Sequence, residues 1–336
     1  MEKLKVSFFI KDAKEKLEGK DTTRMAAIHT GAIVALGLLL TVIQLMLSEG
    51  MGKASGLSGL GTISMLQTVQ TVLQYANTLL VPFWNLGFLY VALQWARGNT
   101  ASQRDLMTGF HRVGPCIGLL LNRLILMLCV VFLCASLCST AYLMTPPGQQ
   151  LQEVMLSMGT AGDYATYMSS LSEENLAVLM DAMKPVLILC CGLSGLLLIP
   201  LLYRLRLAEY VILDHKEARA FPAMLISASL LRRRCWQFFK LDLRLWWYHG
   251  LKLLCMAVCY GDVLLGALGV SLPVDKDLAY ILSYLLYLVL LFGVEVCFRP
   301  RVEVAYARAY DALKEMGPVP RKTVTAVPEK MPWSET

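Results

Sequence analysis

Long stretches without a charged residue dominate this chain of 336 residues. The three longest run from Met25 to Ser48, from Ala54 to Ala96 and from Leu124 to Gln152, over 24, 43 and 29 residues. A helix needs about 20 apolar residues to cross the hydrocarbon core of a bilayer. Because lipid offers no hydrogen-bond partners, a crossing segment must also satisfy its own backbone groups, as a helix does. The runs therefore predict an all-α membrane protein.

The composition agrees with this class and excludes others. Hydrophobic residues make up 56% of the chain and charged residues 17%, whereas about 25% of an average soluble domain is charged. This balance excludes a disordered chain, a coiled coil and a soluble nucleic-acid-binding domain. No nucleic-acid partner is therefore expected.

Reading the chain between its charges predicts a polytopic bundle of six transmembrane helices. The spans are placed at about 25–48, 69–96, 119–143, 185–203, 246–271 and 278–298. Asp262 interrupts the fifth span, so the continuity of that helix stays open. Together the spans form a membrane domain of residues 25–316.

Interfacial and tail segments are expected around this domain. Residues 1–24 predict an amphipathic helix on the inner leaflet, because Ile10, Ala13 and Leu17 form one stripe among lysines. The apolar and small residues that end segment 98–118 predict a second interfacial stretch. The proline-punctuated segment 317–336 is expected to be a disordered cytoplasmic tail.

Lysine and arginine predict the orientation of the bundle. Segments 1–24, 97–112, 204–252 and 299–336 carry 27 of these 31 residues, and the segments on the opposite side carry three. Cytoplasmic loops are the ones enriched in Lys and Arg. Both termini are therefore expected in the cytoplasm, and the net charge of +6 reflects topology.

The ten cysteines all fall in the predicted spans or on the cytoplasmic side, which argues against a disulfide framework. The pairs Cys134/Cys138 and Cys255/Cys259 have i,i+4 spacing and could present two thiolates. Packing as small apolar side chains is favoured for both pairs. We expect no metal site and no cofactor.

Ionisable residues inside a membrane are candidate functional groups by default. Four of them form a candidate intramembrane polar site: Asp262, Arg123, Glu295 and Asp242. Asp262 has no basic residue within nine positions. It either faces the bundle near the sixth span or is exposed where the helix ends near Gly261.

The other three candidates also have ordinary interpretations. Arg123 lies about one turn inside its span, close enough to extend to the inner headgroups. Glu295 precedes Arg299 by four residues, the spacing of a helical ion pair. Asp242 lies between basic residues and among tryptophans, as at an interfacial helix end.

Three consecutive arginines, Arg232, Arg233 and Arg234, are candidates for contact with lipid phosphate. The alternative is that they only contribute to the positive charge expected of a cytoplasmic segment.

Short motifs across nearly the whole chain resemble one family. They are Tyr203, Ala208, Tyr210 and Leu213-Asp214, then Ser227, Phe239 and Leu241-Asp242-Leu243, then Pro300, Tyr310 and Leu313, with Ala13, Leu17, Gly87, Arg97-Gly98 and Gly109-Phe110 upstream. In these residues the chain resembles the bacterial integral membrane proteins catalogued as domain of unknown function 975. That family is akin to the membrane domain attached to some glycerophosphodiester phosphodiesterases.

Several positions depart from the family pattern. Arg244 replaces a serine, Ala309 a phenylalanine, Leu201 a glycine after proline, and Arg233 the glycine of a turn. The family has no established activity, so the resemblance implies an architecture and a bacterial cytoplasmic membrane, and it implies no mechanism.

The sequence predicts a non-enzymatic role. It lacks Gly-x-Ser-x-Gly, His-Glu-x-x-His and a phosphate-binding glycine-rich loop, and we predict no catalytic residue. The favoured function is an accessory or scaffold component of the membrane, with membrane lipids as partners and either another membrane protein or a second copy beside it. The alternative is a subunit of a small-molecule or lipid transporter or exporter.

Overall fold

A computed structural model describes residues 6–53, 60–149, 152, 173–215, 217–260 and 276–317. Within these ranges the secondary structure is helical, without strands, which confirms the all-α class. The α-helices of the described part are α1 (Val6–Leu17), α2 (Thr22–Lys53), α3 (Leu60–Ala96), α4 (Thr108–His111), α5 (Val113–Leu143), α6 (Glu173–Arg204), α7 (Ala208–Asp214), α8 (Ala220–Leu231), α9 (Cys235–Cys259) and α10 (Lys276–Glu315). A 3-10 helix, Gln103–Met107, precedes α4.

Five of the described helices or helical segments are long and apolar enough to cross a membrane. They are Thr22–Ile43, Ser64–Ala96, Val113–Leu143, Met183–Asp214 and Ile281–Glu315. Five of the six predicted spans coincide with these segments. The fifth span, 246–271, overlaps α9, which is not among them, and Asp262 lies outside the described residues. The number of six spans is therefore not confirmed.

The short helices pack together at one end of the molecule. This end, which we call the base, consists of α1, residues 97–112, α7, α8 and the part of α10 from Arg299 onward. Most of the buried core lies in the base and in the adjoining half of α3, including Phe88, Leu93, Ile212 and Tyr310. The base is thus a compact helical unit attached to the apolar helices.

The amphipathic stripe predicted in residues 1–24 is buried in the base. Ala13 is fully buried, and Ile10 and Leu17 pack against the same core. Asp12 forms an ion pair with Arg308, which attaches α1 to α10. The predicted stripe of α1 is covered by protein while Phe8 stays exposed at 55%, so the prediction of an interfacial helix is not confirmed.

The remaining long helices form two groups. α2, α3, α9 and α10 pack side by side, and α5 packs against α6 as a hairpin. Cys134 and Cys138 are buried, as their interpretation as packing residues predicts. Outside the hairpin, the contacts of α5 and α6 are concentrated on α4, α7 and α8. Outward-facing side chains are large and apolar, as Phe132 at 78% exposure illustrates.

The turn between α8 and α9 contains a conformation that favours glycine. Arg233 has φ of 62°, in the left-handed region that is strained for residues with a Cβ atom. In the resembled family this position is the turn glycine, so the structure gives a physical reason for that residue type.

We expect Arg233→Gly to raise the free energy of unfolding by about 1 kcal/mol, because glycine removes the Cβ strain but gains entropy in the unfolded chain. Arg232→Gly is the matched control, since Arg232 has φ of −57°, and it should not be stabilising. Denaturant unfolding in detergent measures both variants. A destabilised Arg233→Gly protein would contradict the strain argument.

Candidate functional site

A cavity of about 260 Å³ lies where the base meets the long helices. Its walls come from α3, α7, α9 and α10, and they carry charged and aromatic groups side by side. Four charged residues line it: Arg206, Glu209, Arg299 and Glu303. Buried charges are costly unless they are paired, so their partners define the chemistry of the site.

One wall is built around Asp242 on α9. Its carboxylate accepts hydrogen bonds from Tyr203 at 2.7 Å, from Arg206 Nη1 at 2.6 Å and from Tyr306 at 2.5 Å. The guanidinium of Arg206 lies over the ring of Tyr306, 4.4 Å from its centroid. Asp242 thus fixes a cation and two tyrosines from three segments at the cavity.

A second wall is built around Glu295 on α10. Its carboxylate pairs with Arg299 at 3.2 Å and with Lys252 at 2.7 Å, and it accepts a hydrogen bond from Tyr248 at 3.0 Å. The predicted helical ion pair between Glu295 and Arg299 is confirmed. Arg299 in turn faces the cavity.

Arg299 joins three helices through its other contacts. It donates to Asn85 of α3 at 2.9 Å and to His29 Nδ1 of α2 at 3.3 Å. His29 Nε2 donates to the Trp84 carbonyl, and the Trp84 indole donates back to the His29 carbonyl, each at 3.1 Å. The guanidinium is therefore held at a fixed position in the wall.

Glu303, one turn beyond Arg299, is the least well paired charge of the cavity. Its carboxylate lies 3.9 Å from Arg299 Nε and accepts a long hydrogen bond of 3.4 Å from Tyr210. Only 19% of its side chain is exposed. A further hydrogen-bond donor that enters the cavity would therefore stabilise this carboxylate.

A second cavity of about 250 Å³ adjoins the first and is mostly apolar. Its walls include Pro82 and Leu86 of α3 and Leu119 and Leu120 of α5. Both cavities have Asn85 and Glu209 in their walls. Each alone is below the ~300–1,000 Å³ of typical ligand pockets, and together they fall within that range.

Arg123 closes this region on the side of α5. It pairs with Glu209 at 2.5 Å and donates to the carbonyl of Leu205 at 2.9 Å. The side chain is committed to protein partners, so the interpretation as a residue that extends to the headgroups is not supported.

The structure thus relates three of the four predicted intramembrane residues to one site, but indirectly. Asp242, Glu295 and Arg123 are not lining residues; each holds a residue that lines the cavity, namely Arg206, Arg299 and Glu209. The carboxylate of Asp242 faces the interior, and the interpretation of this part of α9 as an interfacial helix end stays a prediction. The fourth candidate, Asp262, lies outside the described residues.

A separate ionic network holds the base together. Arg97 pairs with Asp214 and with Asp311, each at 2.8 Å, and Asp214 also accepts hydrogen bonds from Tyr310 and Lys314. Burial alone would lower the pKa of Arg97, but its hydrogen bonds to Asp311 and Asp214 raise it above the ordinary value. The network therefore stays charged and connects α3, α7 and α10.

The three consecutive arginines are not equivalent. Arg233 is exposed, whereas Arg232 and Arg234 are half-buried and Arg234 donates to the carbonyl of Gly317 at 2.9 Å. Contact with lipid phosphate stays a prediction for all three, and Arg233 is the most accessible of them.

The residues of the cavity indicate which kind of ligand it suits. Among the described residues, no group of three or more His, Cys, Asp and Glu side chains is placed to hold a metal ion. The ten cysteines, all within the described ranges, are free thiols. The cavity combines two cations, two carboxylates and aromatic surfaces next to an apolar space, which suits a ligand with both polar and apolar parts.

Sequence reasoning missed Arg206, Glu209 and Glu303. Glu303 continues the i,i+4 series that begins with Glu295 and Arg299, so helical spacing contains a usable signal for it. Arg206 and Glu209 fall within the resembled motif Tyr203–Asp214, but their partners are distant in sequence and no local pattern indicates them.

Comparison with known protein families, with curated proteins and with solved structures gives no match. The resemblance to domain of unknown function 975 therefore stays a prediction that rests on the short motifs.

Proposed function

We propose that this chain is a non-enzymatic integral protein of a bacterial cytoplasmic membrane, an accessory component that binds a membrane amphiphile where its base meets its long helices. The polar cavity receives the headgroup, and the apolar cavity between α3 and α5 receives the beginning of the hydrocarbon chain.

The observation that carries this proposal is the pairing of the two cavities. Charged side chains line one and apolar side chains line the other, and Asn85 and Glu209 belong to both. A small hydrophilic solute would use only the first cavity. An amphiphile matches both in polarity.

The orientation belongs to the same proposal. We place the base in the cytoplasm, because 27 of the 31 lysines and arginines lie in segments assigned to that side. The test introduces a cysteine at Arg104 in a variant whose ten native cysteines are replaced by serine or alanine. Labelling of this cysteine by an impermeant reagent from outside intact cells would contradict the orientation.

Substitutions at two consecutive leucines of α5 test the binding. Leu120 lines the apolar cavity, whereas Leu121 faces outward at 53% exposure. Leu120→Trp should fill the cavity and remove tightly held lipid, and Leu121→Trp should not. The measurement is native mass spectrometry of protein that has been washed with detergent. Equal retention by both variants would contradict the proposed site.

A transporter or exporter subunit is the second candidate, and the α5–α6 hairpin is the observation that favours it. The hairpin is attached to the rest mainly through α4, α7 and α8, so it can move relative to α3 with little loss of packing. Reconstituted protein that moves a fluorescent lipid between leaflets would favour transport over an accessory role.

A further inference from the structure

The charges around the polar cavity are balanced in a way that selects between headgroups. We infer, on the basis of the proposed amphiphile binding, that the ligand is a phospholipid whose headgroup carries both a phosphate and a primary ammonium, as phosphoethanolamine does. An anionic headgroup without an ammonium would bring no hydrogen-bond donor to Glu303, which has only a 3.9 Å approach to Arg299 and a 3.4 Å hydrogen bond from Tyr210.

The phosphate is assigned to the arginine side of the cavity. Asp242 binds Nη1 of Arg206 at 2.6 and 2.7 Å, and the guanidinium carbon lies 4.4 Å from the ring centroid of Tyr306. Arg299 is fixed by Glu295 and Asn85. Two positioned guanidinium groups suit a phosphate, because the planar fork of arginine matches the phosphate oxygens. Since both side chains are already held in place, binding costs little of their conformational entropy.

The ammonium is assigned to Glu303. This carboxylate has only a 3.9 Å approach to Arg299 and a 3.4 Å hydrogen bond from Tyr210, so it retains capacity to accept hydrogen bonds. A primary ammonium offers three N–H donors, and a hydrogen bond to a charged partner is stronger than one between neutral groups. A trimethylated ammonium keeps the charge but has no N–H to donate.

The apolar cavity argues for a lipid rather than a free zwitterion such as an amino acid. Leu86, Leu119 and Leu120 line the space beyond Asn85 and Glu209. A free zwitterion would leave this surface uncovered, whereas the glycerol end of an acyl chain would cover it and gain the free energy of apolar burial.

The test uses the full chain in detergent, incubated with mixed micelles that contain equal amounts of phosphatidylethanolamine, phosphatidylglycerol and phosphatidylcholine with identical acyl chains. Bound lipid is quantified by mass spectrometry after gel filtration. We expect phosphatidylethanolamine to exceed each of the other two by about tenfold, the effect of one charge-assisted hydrogen bond.

Two variants test whether Glu303 causes the preference for phosphatidylethanolamine over the other two lipids. Glu303→Gln should abolish the preference for phosphatidylethanolamine while lipid is still bound. Glu315→Gln, on an exposed position of the same helix, should leave the preference unchanged. Should Glu303→Gln fail to fold, the three-lipid comparison on the parent protein decides alone.

The outcomes separate this inference from the proposed function. Equal or stronger binding of phosphatidylglycerol or phosphatidylcholine to the parent protein overturns the assignment of the headgroup but leaves amphiphile binding in place. Binding of all three lipids at the level of Leu120→Trp overturns both.

Discussion

Replacing Asp242 with leucine is expected to destabilise the protein by about 3 kcal/mol. Asp242 is the shared acceptor for Arg206, Tyr203 and Tyr306, and its side chain is 19% exposed. Leucine cannot accept hydrogen bonds, so the half-buried guanidinium of Arg206 and the hydroxyl groups of Tyr203 and Tyr306 lose their shared acceptor. Removal of one partner of a buried ion pair costs about 3–5 kcal/mol, and the partial exposure of Arg206 places the expectation at the lower end.

A matched control and a second variant make the origin of this effect measurable. Asp181 pairs with Lys184 at 2.5 Å, but both side chains are well exposed, so Asp181→Leu should cost less than about 1 kcal/mol. The double variant Arg206→Met/Asp242→Leu should recover much of the loss, because no unpaired charge remains. Thermal unfolding in detergent compares them, and equal loss for Asp181→Leu and Asp242→Leu would contradict the role assigned here.

The long helices were predictable from sequence because the signal for them is local. A run of 24 or more residues that has no charge and is rich in apolar side chains, such as that from Met25 to Ser48, leaves the backbone no alternative to a helix in lipid. The ends of the helices were less predictable. The sixth span was placed at 278–298, whereas α10 continues to Glu315, because Tyr306, Tyr310 and Leu313 pack into the base. Charges end a hydrophobic run without ending a helix.

The site was predictable only where its contacts are local. Glu295 and Arg299 are one helical turn apart, and their ion pair followed from spacing alone. Asp242 pairs with Arg206, 36 positions away, and with Tyr306, 64 positions away. Its neighbours Lys240 and Arg244 indicated an interface, but the packing of α9 against α10 decides which way the carboxylate points. Pairing between residues so far apart depends on the tertiary structure, and the hydrophobic pattern of the sequence does not indicate it.

The amphipathic helix α1 illustrates the same limit in another form. A stripe of Ile10, Ala13 and Leu17 among lysines is equally suited to a lipid surface and to a protein surface. The ion pair between Asp12 and Arg308 joins residues at opposite ends of the chain, and it favours the protein surface. The hydrophobic pattern specifies that a face is buried, and the partner that buries it follows only from the fold.

The other large effect on stability is expected where α3 closely approaches the segment that follows it. A Cβ atom at Gly87 would overlap the backbone carbonyl of Leu106, and one at Gly109 would overlap the carbonyl of Phe83. In both cases the obstacle is backbone, which cannot rotate away as a side chain can. Gly87 and Gly109 are also among the residues that carry the family resemblance, so this approach gives a physical reason for two of its glycines.

Gly87→Ala should therefore cost about 3 kcal/mol or more, since overpacking costs about 1–3 kcal/mol even where side chains can adjust. Alanine otherwise favours a helix over glycine by about 1 kcal/mol. Gly293→Ala should be neutral or stabilising, because the added Cβ would meet no described atom within 4 Å apart from its chain neighbours and the backbone of its own helix. Both glycines lie in long helices, and the variants differ only in what the methyl group meets. The measurement is the thermal unfolding midpoint of each variant in detergent. Similar midpoints for Gly87→Ala and Gly293→Ala would mean that α3 and the segment around Leu106 are not in backbone contact. The position of Asn85 and Arg97 relative to the base would then need another explanation.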